Sequence, residues 1–382
     1  MDFALTEEQV AIFDMAKTFS DEKIAPNAIE WDQNKTFPID TIREVAELGM
    51  AGLYVKEEHG GSNLSRLDAT LVFEALSYGC PSVAAFISIH NVCAWMVDSF
   101  GSEQQRSYWV PKLCSMEKIA SYCLTEPNCG SDAAALRTSV KREKDELILN
   151  GTKSFISGGG VSDLYIIMAR TGEAGAKGIS TILVEDKTKG LSFGANEKKM
   201  GWHTQPTAEV IFDNCAVPAN NLLGEENKGF TYAMKGLDGG RLNIAACSLG
   251  AAQSALDKAT NYMHERKAFG KTLADLQGLQ FKLADMEIKL QAARTLLRQA
   301  AFKLDNQTAD ASKFCAIAKC FVTDTAFYVA NEALQIHGGY GYLADYGIEK
   351  IVRDLRVHQI LEGSNEIMRV IVARHLLNEA KP

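Results

Sequence analysis

The stretch QILEGSNEIMR, residues 359–369, interrupts what otherwise reads as one long helical pattern near the end of the chain. Gly363 tolerates the left-handed backbone that follows a helix end, and the Ser-Asn pair after it suits the cap of a restarting helix. The break places an acid, Glu362, beside a new helix N-terminus, where backbone N–H groups are open to anions. From this stretch alone, a solvated acid at an ordinary helix corner is the alternative to a functional one.

The region around this break predicts a helical bundle. Helical patterns near 226–263, 274–305, 309–337 and 349–379 are typical of an antiparallel four-helix bundle. The second of them carries a continuous apolar stripe at steps of three and four: Leu279, Leu283, Met286, Leu290, Ala293, Leu297, Ala301 and Leu304.

The region before the bundle has a different character. Short runs rich in β-branched residues, such as LYIIMAR, ISTILVE and AEVIFDNCAVP, alternate with turn signals and predict a small barrel or sandwich. The first zone again shows helical spacing. We therefore expect a multidomain α+β fold with an N-terminal α-helical domain at 1–120, a middle β-domain at 121–225 and a C-terminal four-helix bundle at 226–382.

Composition narrows the class of protein. A chain of 382 residues is long for one hydrophobic core, and a net charge of -8 argues against a general nucleic-acid binder. Nine cysteines without CxxC pairs, after the opening MDFALTEEQ, indicate reduced thiols in an intracellular protein. We take IAACSLGAAQSAL, residues 244–256, as the longest weakly polar run; it is too short to span a bilayer, so no membrane insertion is expected.

Several standard chemistries are missing. The chain has no HExxH, no Cys/His set with zinc spacing, no GxSxG and no GxxxxGK[ST], so no metal site is expected. Residues 339–344 match GxGxxA, but this stretch follows a helical pattern where a dinucleotide site needs a strand.

Unusual stretches occur where the zones meet. Glycines in SFISGGG allow close backbone approach, and the two glycines of DGGR cost their helix roughly 2 kcal/mol relative to alanine, which indicates that something packs close there. The stretches, in order, are YCLTEPNCGSD (122–132), SFISGG (154–159), DGGRLNIAACSLGAAQ (238–253), ERKAFGKTLADLQGLQ (265–280), LQIHGGYGY (334–342) and QILEGSNEIMR.

In this order, the stretches resemble the acyl-CoA dehydrogenase family of flavoenzymes over essentially the whole chain. The resemblance implies that family's three-domain fold, with FAD between the β-domain and the bundle. The residues that would bind FAD are Tyr122, Leu124, Thr125, Gly130, Ser131, Phe155, Ile156, Ser157, Arg266, Phe269, Leu276, Gln277, Gln335, Gly338, Gly339, Ser364, Asn365 and Glu366. Those that would contact substrate are Ser131, Asp238, Gly239, Gly240, Arg241 and Arg374.

The resemblance also implies a role for Glu362. In the family, a carboxylate removes the α-proton of an acyl-CoA while the β-hydrogen leaves as a hydride to flavin N5, which gives a trans-2-enoyl-CoA. Some branches carry the base just before the arginine equivalent to Arg241; here that position is Gly240, which has no acid. Glu362 is then the catalytic base, strengthened by burial. Phe155 departs from the tryptophan of many relatives, which puts flavin stacking in question.

The implied substrate is a short branched acyl-CoA, first isobutyryl-CoA of valine breakdown, with butyryl-CoA and 2-methylbutyryl-CoA as alternatives. Electron transfer flavoprotein is the expected acceptor, and an acyl-CoA oxidase would use oxygen instead. The Gln335 group belongs to the neighbouring subunit in the family, which implies a homotetramer. A bacterial cytoplasmic location is expected, with a processed mitochondrial form as the alternative. A flavin-free scaffold or acyl-binding relative is the hypothesis from another class.

Overall fold

The computed structural model describes residues 4–379. The first helical region contains six α-helices, and serine or threonine caps begin three of them in capping boxes, at Thr6, Ser65 and Ser102. The helices are α1 (Glu7–Phe19), α2 (Ala28–Asn34), α3 (Ile39–Glu44), α4 (Arg66–Gly79), α5 (Pro81–Phe100) and α6 (Glu103–Cys114).

The helix α5 corrects an expectation drawn from the sequence. The expectation that 244–256 is the longest weakly polar run was wrong, because the 20-residue α5 is long and apolar enough by composition to cross a membrane. Most of its apolar stretch, 78%, is buried within the structure, where it packs against α4, α6, β1 and the long helix α7 (Gly229–Glu265). This is the packing of a core helix.

The middle region forms an eight-stranded sheet in the order β6-β7-β3-β2-β4-β5-β8, with β1 added in parallel to β4. The predicted β-rich runs correspond to strands, while β1, β2 and β8 lie outside the runs that the sequence singled out. The strands are β1 (Ala120–Cys123), β2 (Ser139–Glu143), β3 (Glu146–Ser157), β4 (Leu164–Arg170), β5 (Ile179–Glu185), β6 (Leu191–Phe193), β7 (Thr207–Pro218) and β8 (Leu222–Leu223).

A bulge near the end of β3 prepares one edge of the site. The pairing of β3 with β7 slips between Lys153 and Ile156, and Phe155 takes a left-handed backbone with φ 59°. Its side chain is 66% exposed, unlike the buried neighbour Ile156. A bulge re-aims a side chain in this way.

The C-terminal region is the predicted bundle with its last segment divided in two. After α7 comes a short hairpin of β9 (Lys267–Ala268) and β10 (Lys271–Thr272), then α8 (Gln277–Asp305), α9 (Ala311–His337), α10 (Ile348–His358) and α11 (Asn365–Glu379). The predicted stripe on α8 is confirmed, with Met286, Leu290, Ala293, Leu297 and Ala301 buried. GxGxxA lies in 3₁₀ turns after α9, so the expected lack of a strand there is confirmed.

The helix α7 connects these regions. It is 37 residues long and packs against α4, α5, α8 and α9 as well as β4 and β5. One apolar core joins the N-terminal helices to the bundle, and another joins α5 and α6 to the sheet. The cysteines are free and, apart from the half-buried Cys320, buried, as the sequence predicted.

Candidate active site

The predicted helix break is present, and Glu362 lies within it. The helix α10 ends at His358 and α11 begins at Asn365, with Ser364 before it and Glu366 in its first turn. Glu362 has φ 56° and Gly363 has φ 87°. A left-handed glutamate is uncommon, since glycine is the residue that adopts this conformation readily, so the surrounding structure holds Glu362 in place.

The carboxyl group of Glu362 faces α7. A methyl group built on Gly240 would come within 2.7 Å of Oε2, and one built on Gly239 would meet the guanidinium of Arg66 at 2.3 Å. The prediction that something packs close to the DGGR glycines is therefore confirmed. Gly240, where the resemblance places the base of other family branches, therefore faces the carboxyl of Glu362.

Burial governs the ionisation of Glu362 and of the nearby Tyr122. Burial raises the pKa of Glu362 to about 7, although the positive charges of Arg241 and then Lys319 oppose this effect. Burial, and then the charge of Glu362, raises the pKa of Tyr122 well above its ordinary value. Oε2 of Glu362 is buried and has no hydrogen-bond partner among residues 4–379. A buried carboxylate oxygen without a donor fits a group that acts on a bound molecule.

Arg241 is the residue that joins α7 to the break. It is only 5% exposed, its Nη1 donates to Asp238 at 2.7 Å, and its Nε donates to the carbonyl of Glu362 at 3.3 Å. Asp238 also accepts from Ser312 at 3.0 Å. The structure therefore brings Asp238, Arg241 and Glu362 together.

The predicted flavin-facing residues of the β-domain form a second group. Thr125 follows β1 and accepts a backbone bond from Ser154 at 2.8 Å, so the loop after β1 lies beside the end of β3. Ser121 of β1 donates to the carbonyl of Ser157 at 2.6 Å. Leu124 and Ile156 are buried, whereas Gly130 and Ser131 are exposed on the loop.

A buried ion pair holds that loop. Lys153 is fully buried and donates to Oε1 of Glu126 at 2.7 Å and to the carbonyl of Leu124 at 3.0 Å. Glu126 also accepts from the backbone N–H groups of Arg137 at 2.6 Å and Thr138 at 2.8 Å. The carboxylate of Glu126 therefore fixes the loop between β1 and β2 both to Lys153 of β3 and to the backbone just before β2.

A third group lies at the other end of α7 and α9. Arg266, Gly338 and Gly339 line a cavity of about 340 Å³ together with Tyr262, Leu273, Ile336, His337, Tyr340 and Leu343. The guanidinium of Arg266 stands 5.5 Å from the ring centre of Tyr340. Added methyl groups at Gly338 and Gly339 would meet no described atom within 4 Å.

The remaining predicted residues lie in the β9–β10 hairpin, at the start of α8, near the end of α9 and on α11, and the carbonyl of Gln335 accepts a hydrogen bond from the N–H of Gly338. Phe269, in the β9–β10 hairpin, is 92% exposed. Leu276 and Gln277 begin α8, Gln335 is exposed near the end of α9, and Glu366 and Arg374 are exposed on α11. The side chain of Asn365 is buried and bonded to Lys319, Thr323 and Asp324, so it is committed to the protein interior. The roles assigned to all these residues stay predictions.

Sequence reasoning missed Arg66 and Lys319. Arg66 stacks on the Tyr54 ring at 3.6 Å and lies against Gly239. Lys319 is completely buried beneath the break. The sequence feature that could have revealed Lys319 is its single charge within the apolar run FCAIAKCFV, since lysine is almost never fully buried unless it is paired.

The exposed features suit a large, flat, partly apolar cofactor. Phe155 presents its ring outward at the bulge, Gly130 and the Gly338–Gly339 pair leave backbone open to close approach, and Arg266 offers a cation beside the cavity. Glycines at such points allow a ligand to approach the main chain. Phe155 and Gly130 fit the flavin end of a dinucleotide cofactor, and Arg266 with the Gly338–Gly339 pair fits its phosphate and adenosine end.

This fold, with a buried carboxylate and surfaces that fit a flavin, points to the class of flavin-dependent oxidoreductases of the three-domain helical and β type. Family models for the N-terminal, middle and C-terminal domains of acyl-CoA dehydrogenase match residues 6–117, 121–215 and 227–377. The chain belongs to the acyl-CoA dehydrogenase family, whose members are FAD-dependent flavoproteins acting on acyl-CoA.

Close relatives agree with this assignment. The chain is 55% identical to the mitochondrial isobutyryl-CoA dehydrogenase of Bos taurus, over 98% of this chain and 90% of that one. It is 53% identical to the mitochondrial isobutyryl-CoA dehydrogenase of Dictyostelium discoideum, over 97% and 90%. The solved butyryl-CoA dehydrogenase of Megasphaera elsdenii superimposes with a TM-score of 0.96 at 39% identity, over 99% of this chain and 100% of that one.

Proposed function

We propose that this chain oxidises isobutyryl-CoA to methacrylyl-CoA, with Glu362 as the base. The observation that supports this most is a buried carboxyl with one unpartnered oxygen and a pKa raised by burial to about 7. The two isobutyryl-CoA dehydrogenases at 55% and 53% identity support the choice of acyl group. The reaction would belong to valine breakdown.

The properties of Glu362 suit the removal of an α-proton from a thioester. Such a proton is weakly acidic, and a glutamate carboxylate with its ordinary pKa of 4.5 is a poor base for it. Burial weakens the solvation of the charged form, so Glu362 binds a proton more strongly while it still ionises near neutral pH. When bound, FAD supplies the acceptor for the β-hydrogen and its electron pair.

The neighbouring residues have separate tasks in this proposal. Arg241 and Asp238 orient the helix break. Tyr122 lines the site and excludes water, and Gly240 leaves the space that the carboxyl of Glu362 occupies. FAD would be held by Thr125, Ser131 and the Phe155–Ser157 segment at the flavin end. Arg266 with Gly338 and Gly339 would hold the pyrophosphate and adenosine end. Electron transfer flavoprotein would then accept the electrons.

A homotetramer is part of the same proposal. Phe281, Ile288 and Phe302 repeat at multiples of seven residues along α8 and are 61%, 65% and 62% exposed. A row of exposed apolar side chains on one helix supports contact with another copy of the chain. Light scattering on the purified protein would measure the mass directly, and a monomer would contradict this part. The location and the boundaries 1–120, 121–225 and 226–382 stay predictions, which cell fractionation and limited proteolysis would test.

The test is anaerobic bleaching of the bound flavin by isobutyryl-, butyryl-, 2-methylbutyryl- and isovaleryl-CoA, followed by reoxidation with electron transfer flavoprotein. We expect the fastest bleaching with isobutyryl-CoA. Preference for butyryl-CoA would reassign the substrate and keep the chemistry. A flavin that no acyl-CoA bleaches would contradict the proposed function.

A further inference from the structure

Lys319 is a buried cation with an unusual set of partners. It lies on α9 with no exposed surface, and its Nζ donates to the carbonyl of Gly363 at 2.9 Å and to Oδ1 of Asn365 at 2.8 Å. No ion pair within the described residues includes Lys319. Burying an ammonium without a carboxylate partner is unfavourable, which indicates that Lys319 has a functional role.

The two partners of Lys319 lie just after the base, and a second cation holds the carbonyl before them. Arg241 donates to the carbonyl of Glu362 at 3.3 Å, and Lys319 donates to the next carbonyl along the chain. Consecutive carbonyls of the left-handed turn are therefore bound by cations from α7 and α9. Oε2 of Glu362 itself receives no donor from residues 4–379.

The two cations therefore hold the backbone of the turn without donating a hydrogen bond to Oε2 of Glu362. A base that accepted hydrogen bonds from a lysine at its carboxylate would be held in place but weakened. Here Lys319 binds the carbonyl of Gly363, and its charge acts on the carboxyl of Glu362 through space.

The charged and titratable groups that face Lys319 allow it to stay protonated at neutral pH. They are Glu362 from the break, Cys320 and Asp324 from α9, and Arg241 from α7. His358 of α10 also lies near, but burial and then the charge of Lys319 lower its pKa to about 3, so it is neutral. Burial lowers the pKa of Lys319 to about 8, opposed first by Glu362, so the ammonium dominates at neutral pH.

We infer that Lys319 is a positioning residue of the base: its ammonium binds the turn that aims Glu362, and its positive charge favours the carboxylate form of that side chain. The inference rests on the proposed function, because Glu362 must be the base. It adds a residue to which neither the family motifs nor the sequence patterns assign a role.

The test compares Lys319→Met, which removes donors and charge, with Lys319→Gln, which removes the charge and keeps donors. Lys313→Met is the control, because Lys313 lies on the same helix and pairs with Glu379 away from the break. An infrared titration of the Glu362 carboxyl, taken as a difference against Glu362→Gln, reads its pKa without turnover. Both Lys319 variants should raise that pKa by about one unit, and the control should not.

Kinetics give the second readout. Lys319→Met should lower kcat about tenfold with KM within about twofold, and Lys319→Gln should lose less, because it can still bind the Gly363 carbonyl. An unchanged Glu362 pKa in both variants, or kcat within about twofold of wild type in Lys319→Met, would overturn the inference. Failure of both variants to fold with bound flavin would also overturn the inference, because Lys319 would then have only a structural role in the core. If wild type bleaches with no acyl-CoA, the proposed function fails first, and the infrared titration still reports on Lys319.

Discussion

The carboxyl group of Glu362 lies directly against Gly240, although the two residues are 122 positions apart in the chain. A methyl group at Gly240 would stand 2.7 Å from Oε2 and 2.9 Å from the carboxyl carbon. Such contacts are too short for atoms that are not bonded. Gly240 therefore keeps open the space in which the base works.

Gly240→Ala should displace the base while the helix stays intact. Alanine favours a helix over glycine by about 1 kcal/mol, so the fold has no local reason to fail. Displacement of the carboxyl by about 1 Å should lower the bleaching rate at least tenfold. Stopped-flow absorbance with isobutyryl-CoA measures the rate.

Gly236→Ala is the matched control on the same helix. Its added methyl would meet Met96 and Val92 at 3.4 Å, an ordinary contact with flexible side chains. Its rate should stay within about threefold of wild type. Equal rates for the two variants would show that Glu362 does not need the space beside Gly240.

Glu362→Gln should abolish dehydrogenation and leave a yellow protein. The amide matches the shape of the acid but cannot take a proton, so bleaching should fall at least about a hundredfold. Glu379→Gln is a suitable control, since Glu379 pairs with Lys313 at the far end of α11. A Glu362→Gln rate above about a hundredth of wild type would remove Glu362 from the role of base.

The pH dependence of stability follows from the raised pKa of Glu362. An acid whose pKa rises on folding, here from 4.5 to about 7, favours the folded state when protonated. Its contribution is fully present below the unfolded value and is lost as pH rises through the folded value. Glu362→Gln should therefore unfold like wild type at about pH 4.5 and be more stable by about 1–3 kcal/mol at about pH 8.

Thermal melts of the two flavin-loaded proteins across that range measure the difference. A difference that is the same at every pH would mean that the pKa of Glu362 is not raised. The kcat/KM profile of wild type should show its acid limb near pH 7, from the same group.

Local sequence signals predicted the elements better than the contacts between them. The break at Glu362 and Gly363 was readable because a glycine followed by capping residues acts within one helical turn. The strand β2 was not singled out, since its residues SVKRE are mostly polar and exposed, and its place depends on pairing with β3. The contacts of Glu362 with Gly240 and of Lys319 with Gly363 join distant segments, so neither spacing nor composition could show them.

Removing Lys153 should destabilise the loop that we assign to the flavin. Lys153 and Glu126 form a buried pair at 2.7 Å, and Glu126 also binds two backbone N–H groups of the same loop. Lys153→Met leaves the carboxylate buried without its cation, which should cost about 3–5 kcal/mol and weaken flavin retention. Thermal melts and the bound-flavin absorbance measure both effects.

The double variant Lys153→Met with Glu126→Gln separates charge from packing. Because it removes both charges and keeps an amide that can still accept from the loop, it should recover about half of the lost stability. Lys141→Met, which breaks the exposed pair with Glu143 on β2, should change stability by less than about 1 kcal/mol. A double variant no more stable than Lys153→Met would show that the unpaired charge of Glu126 does not cause the loss. The lost packing of the lysine stem in the sheet would then be the cause.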